Sequence, residues 1–167
     1  GYFIYRFYSA SLGRIPQYLE FMRDMQKVSG FLSVPEQEAA KQAFITEFMN
    51  RSEFKQKYDS TVSATQYVDA LSATAGVALP NRDQLIAHLQ NNPLTRGDVL
   101  RAVIESQVVD QKFFNESFVI MQYFGYLRRD ADISYLSWIE TLKQTNDYRI
   151  MVNGFMNSLE YRQRFGQ

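Results

Sequence analysis

The chain has no cysteine and only one histidine, His88, among its 167 residues. Without cysteine there can be no disulfide, no thiol nucleophile and no zinc–cysteine site. A lone histidine beside Leu85, Ile86 and Leu89 is more typical of a packed or solvent-facing side chain than of a catalytic base, and no Ser/His/Asp set accompanies it. We therefore predict that the protein is not an enzyme. A small hydrolase or lyase built around His88 and Asp83 is the weakest of the functions considered.

The sequence also lacks an excess of charge and any long apolar run. Lysine and arginine number 18, as do aspartate and glutamate, and this balance argues against general attraction to nucleic acid or to an anionic membrane. No stretch approaches the ~20 apolar residues of a transmembrane helix. The pair Asp130 and Asp132 lacks the other ligands and the glycine of a calcium loop, and Gly13–Arg14 is too short for a phosphate-binding loop. We predict no metal, cofactor or nucleic-acid partner.

Aromatic residues are abundant, with 13 Phe, 11 Tyr and 1 Trp. Many short helices need large side chains to fill the angles between them, so the simplest interpretation places these rings in the core. The alternative is a face of exposed rings, including Trp138, that stacks on sugars. Solvent exposure of the rings distinguishes the two.

An internal repeat organises the chain. Phe48–Tyr58 recurs as Phe155–Phe165, at an offset of 155 − 48 = 107, and more weakly as Val103–Phe113, at 103 − 48 = 55. In the first halves of the copies, Phe3 corresponds to Tyr67 (67 − 3 = 64) and to Phe118 (118 − 3 = 115). The three copies span about 1–60, 61–115 and 116–167. The first copy is longer than the third by 115 − 107 = 8 residues, which we assign to a loop at 27–35.

Helical periodicity and capping signals predict three helices and a short fourth in each copy. Possible capping boxes occur at Ser63 and Thr95, Ser52 and Ser158 are candidate N-caps, Gly13 and Gly76 are stop signals, and Asn91–Asn92–Pro93 is a turn. Strand patterns are missing. The sequence therefore predicts an all-α fold of about twelve short helices, packed as one compact domain over 1–167. Two sets of equivalent buried positions follow: Phe48, Val103 and Phe155, and Ile45, Leu100 and Val152.

Phe7–Tyr8, Leu12–Gly13–Arg14–Ile15–Pro16 and Ser52–Glu53–Phe54 together resemble the bacterial domain-of-unknown-function family numbered 4214. The resemblance covers nearly the whole chain as three repeats, although the second copy departs from it at Gly76–Pro80 and the third at Leu127–Ala131. It implies a helical module of a larger secreted or surface-attached bacterial protein, hence an extracellular or cell-surface location, and it supplies no catalytic residues. Leu94–Phe114 and Ser158–Phe165 are more distantly similar to the helical linker domains of phycobilisomes.

The candidate binding residues are Arg14, Arg128, Arg129 and Trp138. The three arginines follow predicted helix ends, where a cation complements the negative pole of the helix dipole. The alternative is contact with an anion or a glycan. The leading function predicted is a non-catalytic structural or protein-interaction module, with a glycan-binding module as the alternative. The protein or glycan partner is unknown, and the chain is expected to be part of a longer polypeptide.

Overall fold

The computed structural model describes residues 1–91 and 93–166, and these residues form helices and no strand. Eleven α-helices and two π-helical segments are present in these ranges, which confirms the predicted all-α fold of about twelve short helices. In chain order they are α1 (Tyr2–Arg6), π1 (Phe7–Leu12), α2 (Tyr18–Val28), α3 (Val34–Met49), α4 (Ser52–Tyr58), α5 (Ala64–Ala75), α6 (Arg82–Gln90), α7 (Arg96–Ile104), α8 (Gln107–Gln122), π2 (Tyr123–Leu127), α9 (Tyr135–Thr145), α10 (Tyr148–Asn157) and α11 (Leu159–Phe165). The predicted turn at Asn91–Asn92–Pro93 includes Asn92, which lies outside the described residues.

The chain divides into two compact units, Gly1–Lys112 and Phe113–Gln167. The boundary lies within α8, as does the predicted junction between the second and third copies. The short fourth helix of the second copy and the first helix of the third copy are thus continuous in α8, so the twelve predicted elements become eleven α-helices in the described ranges. That the whole chain packs as a single domain stays a prediction.

The first helix of the first and third copies ends in a π-helical turn. In π1 the Ser11 hydroxyl donates a hydrogen bond to the Phe7 carbonyl, and the Ser11 carbonyl accepts one from Tyr58 Oη at 2.6 Å. A π turn holds one residue more than an α turn. Helix α5 has no π turn, so the second copy lacks this extra residue. The offset between the first two copies is therefore 64 at Phe3 and Tyr67 but 76 − 13 = 63 at the left-handed residues Gly13 and Gly76.

Aromatic side chains form the core of the first unit, as the simplest interpretation predicted. The ring of Phe48 is fully buried and meets Phe7, Tyr8 and Phe54 edge-on, at centroid distances of 5.3, 5.4 and 6.0 Å. Edge-to-face pairs add stabilisation beyond the area that they bury. The chain of rings continues through Tyr58, whose centroid lies 4.5 Å from that of Phe54.

The predicted sets of equivalent buried positions are largely confirmed. Phe48, Val103 and Phe155 are all buried, at 0%, 1% and 4% exposure. Ile45 and Leu100 are buried as well, but Val152 is half-buried. Met151 is fully buried, as are its equivalents Phe44 and Val99 (151 − 107 = 44 and 99 − 55 = 44), so α10 keeps that neighbouring position in the core.

The extra length of the first copy lies mainly in a helix, and the predicted loop insertion is wrong in this respect. Helix α7 begins at Arg96 and α10 at Tyr148, which both correspond to residue 41 (96 − 55 = 41 and 148 − 107 = 41). Helix α3 begins at Val34, so residues 34–40 are two additional helical turns. The side chain of Ser33 accepts a hydrogen bond from the Glu36 amide and so caps this extension.

The capping predictions hold at three helices and fail at a fourth. The side chains of Ser63, Thr95 and Ser158 each accept a hydrogen bond from the amide three residues later. Ser52 is instead the first residue of α4, and Arg51 holds the N-cap position without a capping side-chain bond. The arginine side chain is used elsewhere, in a buried ion pair described below.

One cation in each copy binds the end of that copy's first long helix. Lys57 Nζ donates to the Leu12 carbonyl at 3.3 Å, Lys112 Nζ to the Ala75 carbonyl at 2.7 Å, and Arg164 to the Leu127 carbonyl. The three cations are equivalent by the repeat offsets, since 112 − 57 = 55 and 164 − 57 = 107. Their recurrence has a structural cause, because the last carbonyls of a helix lack partners within it.

We expect Phe48→Ala to lower the free energy of unfolding of the first unit by about 3–5 kcal/mol, because a buried ring is replaced by a cavity. The measurement is urea unfolding followed by far-UV circular dichroism. Leu32→Ala is the control, because Leu32 is fully exposed and its truncation should change stability by less than about 0.5 kcal/mol. Equal losses in the two variants would contradict the placement of Phe48 in the core.

Candidate functional site

Arg14 joins the end of π1 to the short helix α4 through a bidentate ion pair. Its Nε and Nη2 each lie 2.7 Å from a carboxylate oxygen of Glu53, and its Nη1 lies 2.8 Å from Glu20 Oε2. The guanidinium carbon lies 5.0 Å from the ring centroid of Tyr8. We call Tyr8, Arg14 and Glu53 the first arginine clamp.

The second unit contains the same arrangement. Arg129 Nε and Nη2 each lie 2.7 Å from an oxygen of Glu160, and the guanidinium carbon lies 5.3 Å from the ring centroid of Tyr123. These residues correspond to the first clamp by the sequence offsets, since 129 − 14 = 115, 123 − 8 = 115 and 160 − 53 = 107. We call Tyr123, Arg129 and Glu160 the second arginine clamp. The agreement in contacts confirms the register between the first and third copies.

Each clamp is positioned by a left-handed residue that ends the π turn. Gly13 has φ 76° and Arg128 has φ 50°, and the clamp arginine follows directly. In each loop the arginine Nη1 also donates to the carbonyl of the next residue, Ile15 at 3.3 Å or Asp130 at 2.8 Å. The second copy has Val77 after Gly76 and therefore no clamp arginine.

Both clamp carboxylates are held in their ionised form. Hydrogen bonds from Arg14 keep the pKa of Glu53 below its ordinary value, and hydrogen bonds from Arg129 do the same for the pKa of Glu160. Each guanidinium group donates two hydrogen bonds to its glutamate. The positive and negative charges of each clamp are therefore paired with one another.

A buried ion pair lies beside the clamp in the first unit. Asp24 is 1% exposed, and its two carboxylate oxygens lie 2.8 Å from Nη1 and Nη2 of Arg51. Tyr8 Oη donates to Asp24 at 2.7 Å, and Arg51 lies over the ring of Phe48, with its guanidinium carbon 4.9 Å from the centroid. Burial raises the pKa of Asp24, but the hydrogen bonds from Arg51 and Tyr8 outweigh this effect and hold it below its ordinary value.

The second unit has a cavity of about 170 Å³ beside its clamp. The clamp residues line it together with Asp132, Trp138, Phe155 and Ser158, among others. Trp138 is half-buried, and its ring packs so closely on Gly154 that an added Cβ would lie 2.5 Å from Cη2. Because the wall combines aromatic rings with carboxylates and a guanidinium, we regard this cavity as the candidate site.

The structure brings together two of the four predicted binding residues. Arg129 and Trp138 line the same cavity. Arg128 is exposed, and its guanidinium carbon lies 4.9 Å from the ring centroid of Phe165, whereas Arg14 belongs to the first unit. Sequence reasoning missed the carboxylate partners Glu53 and Glu160, although the recurrence of both arginine and glutamate at the repeat offsets was a usable signal.

Other sequence candidates occupy simpler surroundings. His88 is exposed, and Asp83 pairs with Arg82 at 2.7 Å. Within residues 1–91 and 93–166, no three side chains of His, Asp or Glu converge in a way that could hold a metal ion. In the same ranges, none of the helices has both the length and the apolar composition required to cross a bilayer.

Comparison of the chain with protein-family models, with curated proteins and with solved structures found no match.

We expect Arg51→Met to destabilise the first unit by about 1.5–3 kcal/mol at pH 7, because it removes the bidentate partner of the buried Asp24 carboxylate. Tyr8 Oη and Lys27 Nζ, 2.7 Å and 3.2 Å from this carboxylate, remain as its partners. In the wild type the pKa of Asp24 lies below its ordinary value, so its contribution to stability is present above about pH 3.9 and is lost as the pH falls through the folded-state pKa. The difference between the two proteins should therefore shrink on acidification. Urea unfolding at a series of pH values measures it.

The control is the double variant Asp24→Leu/Arg51→Met, which replaces both charges with apolar groups. It should recover much of the stability lost in the single variant, because no unpaired charge remains. A single variant whose deficit is independent of pH would show that Asp24 does not depend on Arg51.

We expect Gly154→Ala to displace the ring of Trp138 and to cost about 1–3 kcal/mol, as overpacking does. Since Trp138 is the only tryptophan, its fluorescence emission should shift to longer wavelength as the ring gains exposure. Gly125→Ala is the matched control, because nothing lies within 4 Å of a Cβ built at Gly125. An unchanged spectrum in Gly154→Ala would contradict the contact.

Proposed function

We propose that this chain is a non-catalytic protein-interaction module of a larger secreted or surface-attached bacterial protein. The bacterial, extracellular setting and the longer parent chain rest on the motif resemblance described above. Its motif residues Tyr8, Arg14 and Glu53 contact one another in the first clamp. This contact supports a structural role for the motif.

The ionisation state of four carboxylates carries the proposal: Asp24 is buried, Glu160 is half-buried, and Glu53 and Asp132 are exposed. Burial acts to raise the pKa of Asp24 and Asp132, but hydrogen bonds from neighbouring donors outweigh it, and both pKa values lie below the ordinary value. Glu53 and Glu160 are shifted in the same direction by their arginines. A carboxylate that acts as a general acid near neutral pH needs a raised pKa. The charges of these sites therefore support binding and rigidity more than proton transfer.

Glycan binding by a row of exposed rings receives less support. The exposed aromatic side chains Phe31, Phe114 and Phe165 lie on three separate segments, in the loop after α2, on α8 and on α11. Trp138 is half-buried against Gly154. A stacking platform needs neighbouring rings that face solvent together, so the interaction module remains the better-supported function.

We expect the chain to retain a defined protein from a cell-surface extract of its source organism, and an excess of the free chain should compete for this retention. The retained protein is then purified, and the complex is reconstituted and measured by analytical ultracentrifugation. In parallel, the chain is assayed with panels of ester, glycoside and phosphodiester substrates. Turnover that co-purifies with the chain and is lost on heat unfolding would contradict the proposal.

A further inference from the structure

The cavity of the second unit lies where the repeat places an arginine side chain in the first unit. Arg51 and Ser158 are equivalent, at 158 − 51 = 107. Both are N-cap residues with nearly the same backbone angles, −67° and 142° for Arg51 and −64° and 147° for Ser158. Each amide donates to the carbonyl three residues earlier at 3.1 Å. The two side chains therefore leave the backbone in equivalent directions.

The aromatic surroundings of Arg51 are also present around the cavity. In the first unit, its guanidinium lies over Phe48 and donates from Nη1 to Tyr8 Oη at 2.7 Å. The equivalents of these two rings, Phe155 and Tyr123, line the cavity and meet edge-on at 4.8 Å. Ser158 ends at its hydroxyl, and Trp138 fills only part of the space that a longer side chain would take.

A carboxylate stands beside the tyrosine hydroxyl in both units, although it comes from different positions. Asp24 Oδ2 accepts from Tyr8 Oη at 2.7 Å and also binds Arg51, whereas Asp132 Oδ1 lies 3.5 Å from Tyr123 Oη. Asp132 Oδ2 accepts one hydrogen bond from Arg129 at 2.9 Å. Asp132 Oδ1 also accepts a hydrogen bond from the Ser134 amide at 2.9 Å. Since a carboxylate offers about four acceptor positions, one position on Oδ2 is left for another charged donor.

We propose that this cavity binds a guanidinium group, namely an arginine side chain of a protein partner. The protein nature of the partner rests on the proposed function, whereas the site itself rests on the repeat. The guanidinium would stack against the rings of Trp138 and Phe155 and donate to Asp132. Guanidinium groups favour aromatic faces and planar, charge-assisted pairing with carboxylates.

Size and charge agree with such a ligand. A volume of about 170 Å³ is below the roughly 300–1,000 Å³ of pockets for drug-sized molecules, so the cavity suits one side-chain group. The lining carries one cation, Arg129, against the carboxylates of Asp132 and Glu160. A second cation, Arg164, lies 3.8 Å from Glu160 and donates to the Leu127 carbonyl. Two guanidinium groups already share the Tyr8 ring in the first unit, Arg14 at 5.0 Å and Arg51 at 6.0 Å.

The sole tryptophan makes the cavity directly observable. N-acetyl-arginine amide is titrated into the full chain at constant ionic strength, and Trp138 fluorescence and its indole N–H resonance are recorded. We expect saturable changes with a millimolar dissociation constant. N-acetyl-lysine amide and neutral N-acetyl-citrulline amide should bind at least about tenfold more weakly, because each lacks either the planar fork or the charge.

Three variants locate the site. Ser158→Arg should abolish binding, because it places the chain's own guanidinium in the cavity as in the first unit. Ser158→Ala removes the same helix cap without filling the cavity and should bind as the wild type does. Asp132→Asn should weaken binding about tenfold or more, because a charged acceptor becomes a neutral amide. Far-UV circular dichroism verifies that each variant is folded.

Three outcomes would overturn the proposal: no saturable change with the arginine probe, equal binding of the citrulline probe, or wild-type binding by Ser158→Arg. A change caused by methyl glycosides and not by the arginine probe would assign the cavity to sugars and likewise reject it. Any of these results leaves the retention and turnover tests of the interaction module unaffected, so the two proposals fail separately.

Discussion

Within the first copy and again within the third, a bidentate pair between an arginine and a glutamate joins the end of the first long helix to the short fourth helix. In each case the arginine follows the end of the first long helix, and the glutamate belongs to the short fourth helix. Helices α4 and α11 have only seven residues each, and isolated helices of that length are unstable in water. Their position consequently depends on tertiary contacts, which the clamp, the buried or half-buried aromatic side chains and the cation on the helix-end carbonyl provide together.

This common frame allows one position to carry different chemistry. Residue 51 is an arginine that pairs with buried Asp24, whereas its equivalent, Ser158, caps a helix and leaves a cavity beside Trp138. A buried ion pair is tolerated only when both charges are satisfied, and an apolar side chain can replace such a pair without loss of stability. In the second unit, an apolar side chain partly replaces the ion pair: the ring of Trp138 packs against Phe155, whose equivalent Phe48 contacts Arg51 in the first unit. A carboxylate is still present, because Asp132 lies near the Tyr123 hydroxyl.

The second copy shows what remains when the clamp is absent. It has no arginine after Gly76 and no π turn in α5, yet Lys112 still binds the Ala75 carbonyl. The helix-end cation is therefore a feature that does not depend on the clamp, since all three copies have it. The short fourth helix of the second copy continues directly into the first helix of the third copy as α8, so it is not an isolated short helix.

The sequence alone was sufficient for the helical class, the repeat offsets, most caps and most core positions. These features depend on the spacing of apolar residues along the chain and on the side chains that mark helix ends, and both can be identified from the sequence. Phe48, Val103 and Phe155 could be paired before any coordinates because they recur at fixed offsets. Arg14 recurs as Arg129 and Glu53 as Glu160, so the residues of both clamps could also be paired in this way. Nothing local, however, indicates that an arginine and a glutamate 39 or 31 positions apart are in contact.

Only the tertiary structure decided where these side chains meet. It showed that the extra residues of the first copy lengthen α3 and that Val152 is only half-buried. It also showed that Arg51 rather than Ser52 holds the N-cap position of α4 and pairs with Asp24. The cavity at Trp138 depends on the combined size of Ser158, Gly154 and their neighbours across four helical segments, π2, α9, α10 and α11. Cavities and long-range ion pairs depend on the combined volume and charge of side chains from segments that are distant in sequence. A pattern along the chain does not indicate which of these segments come together.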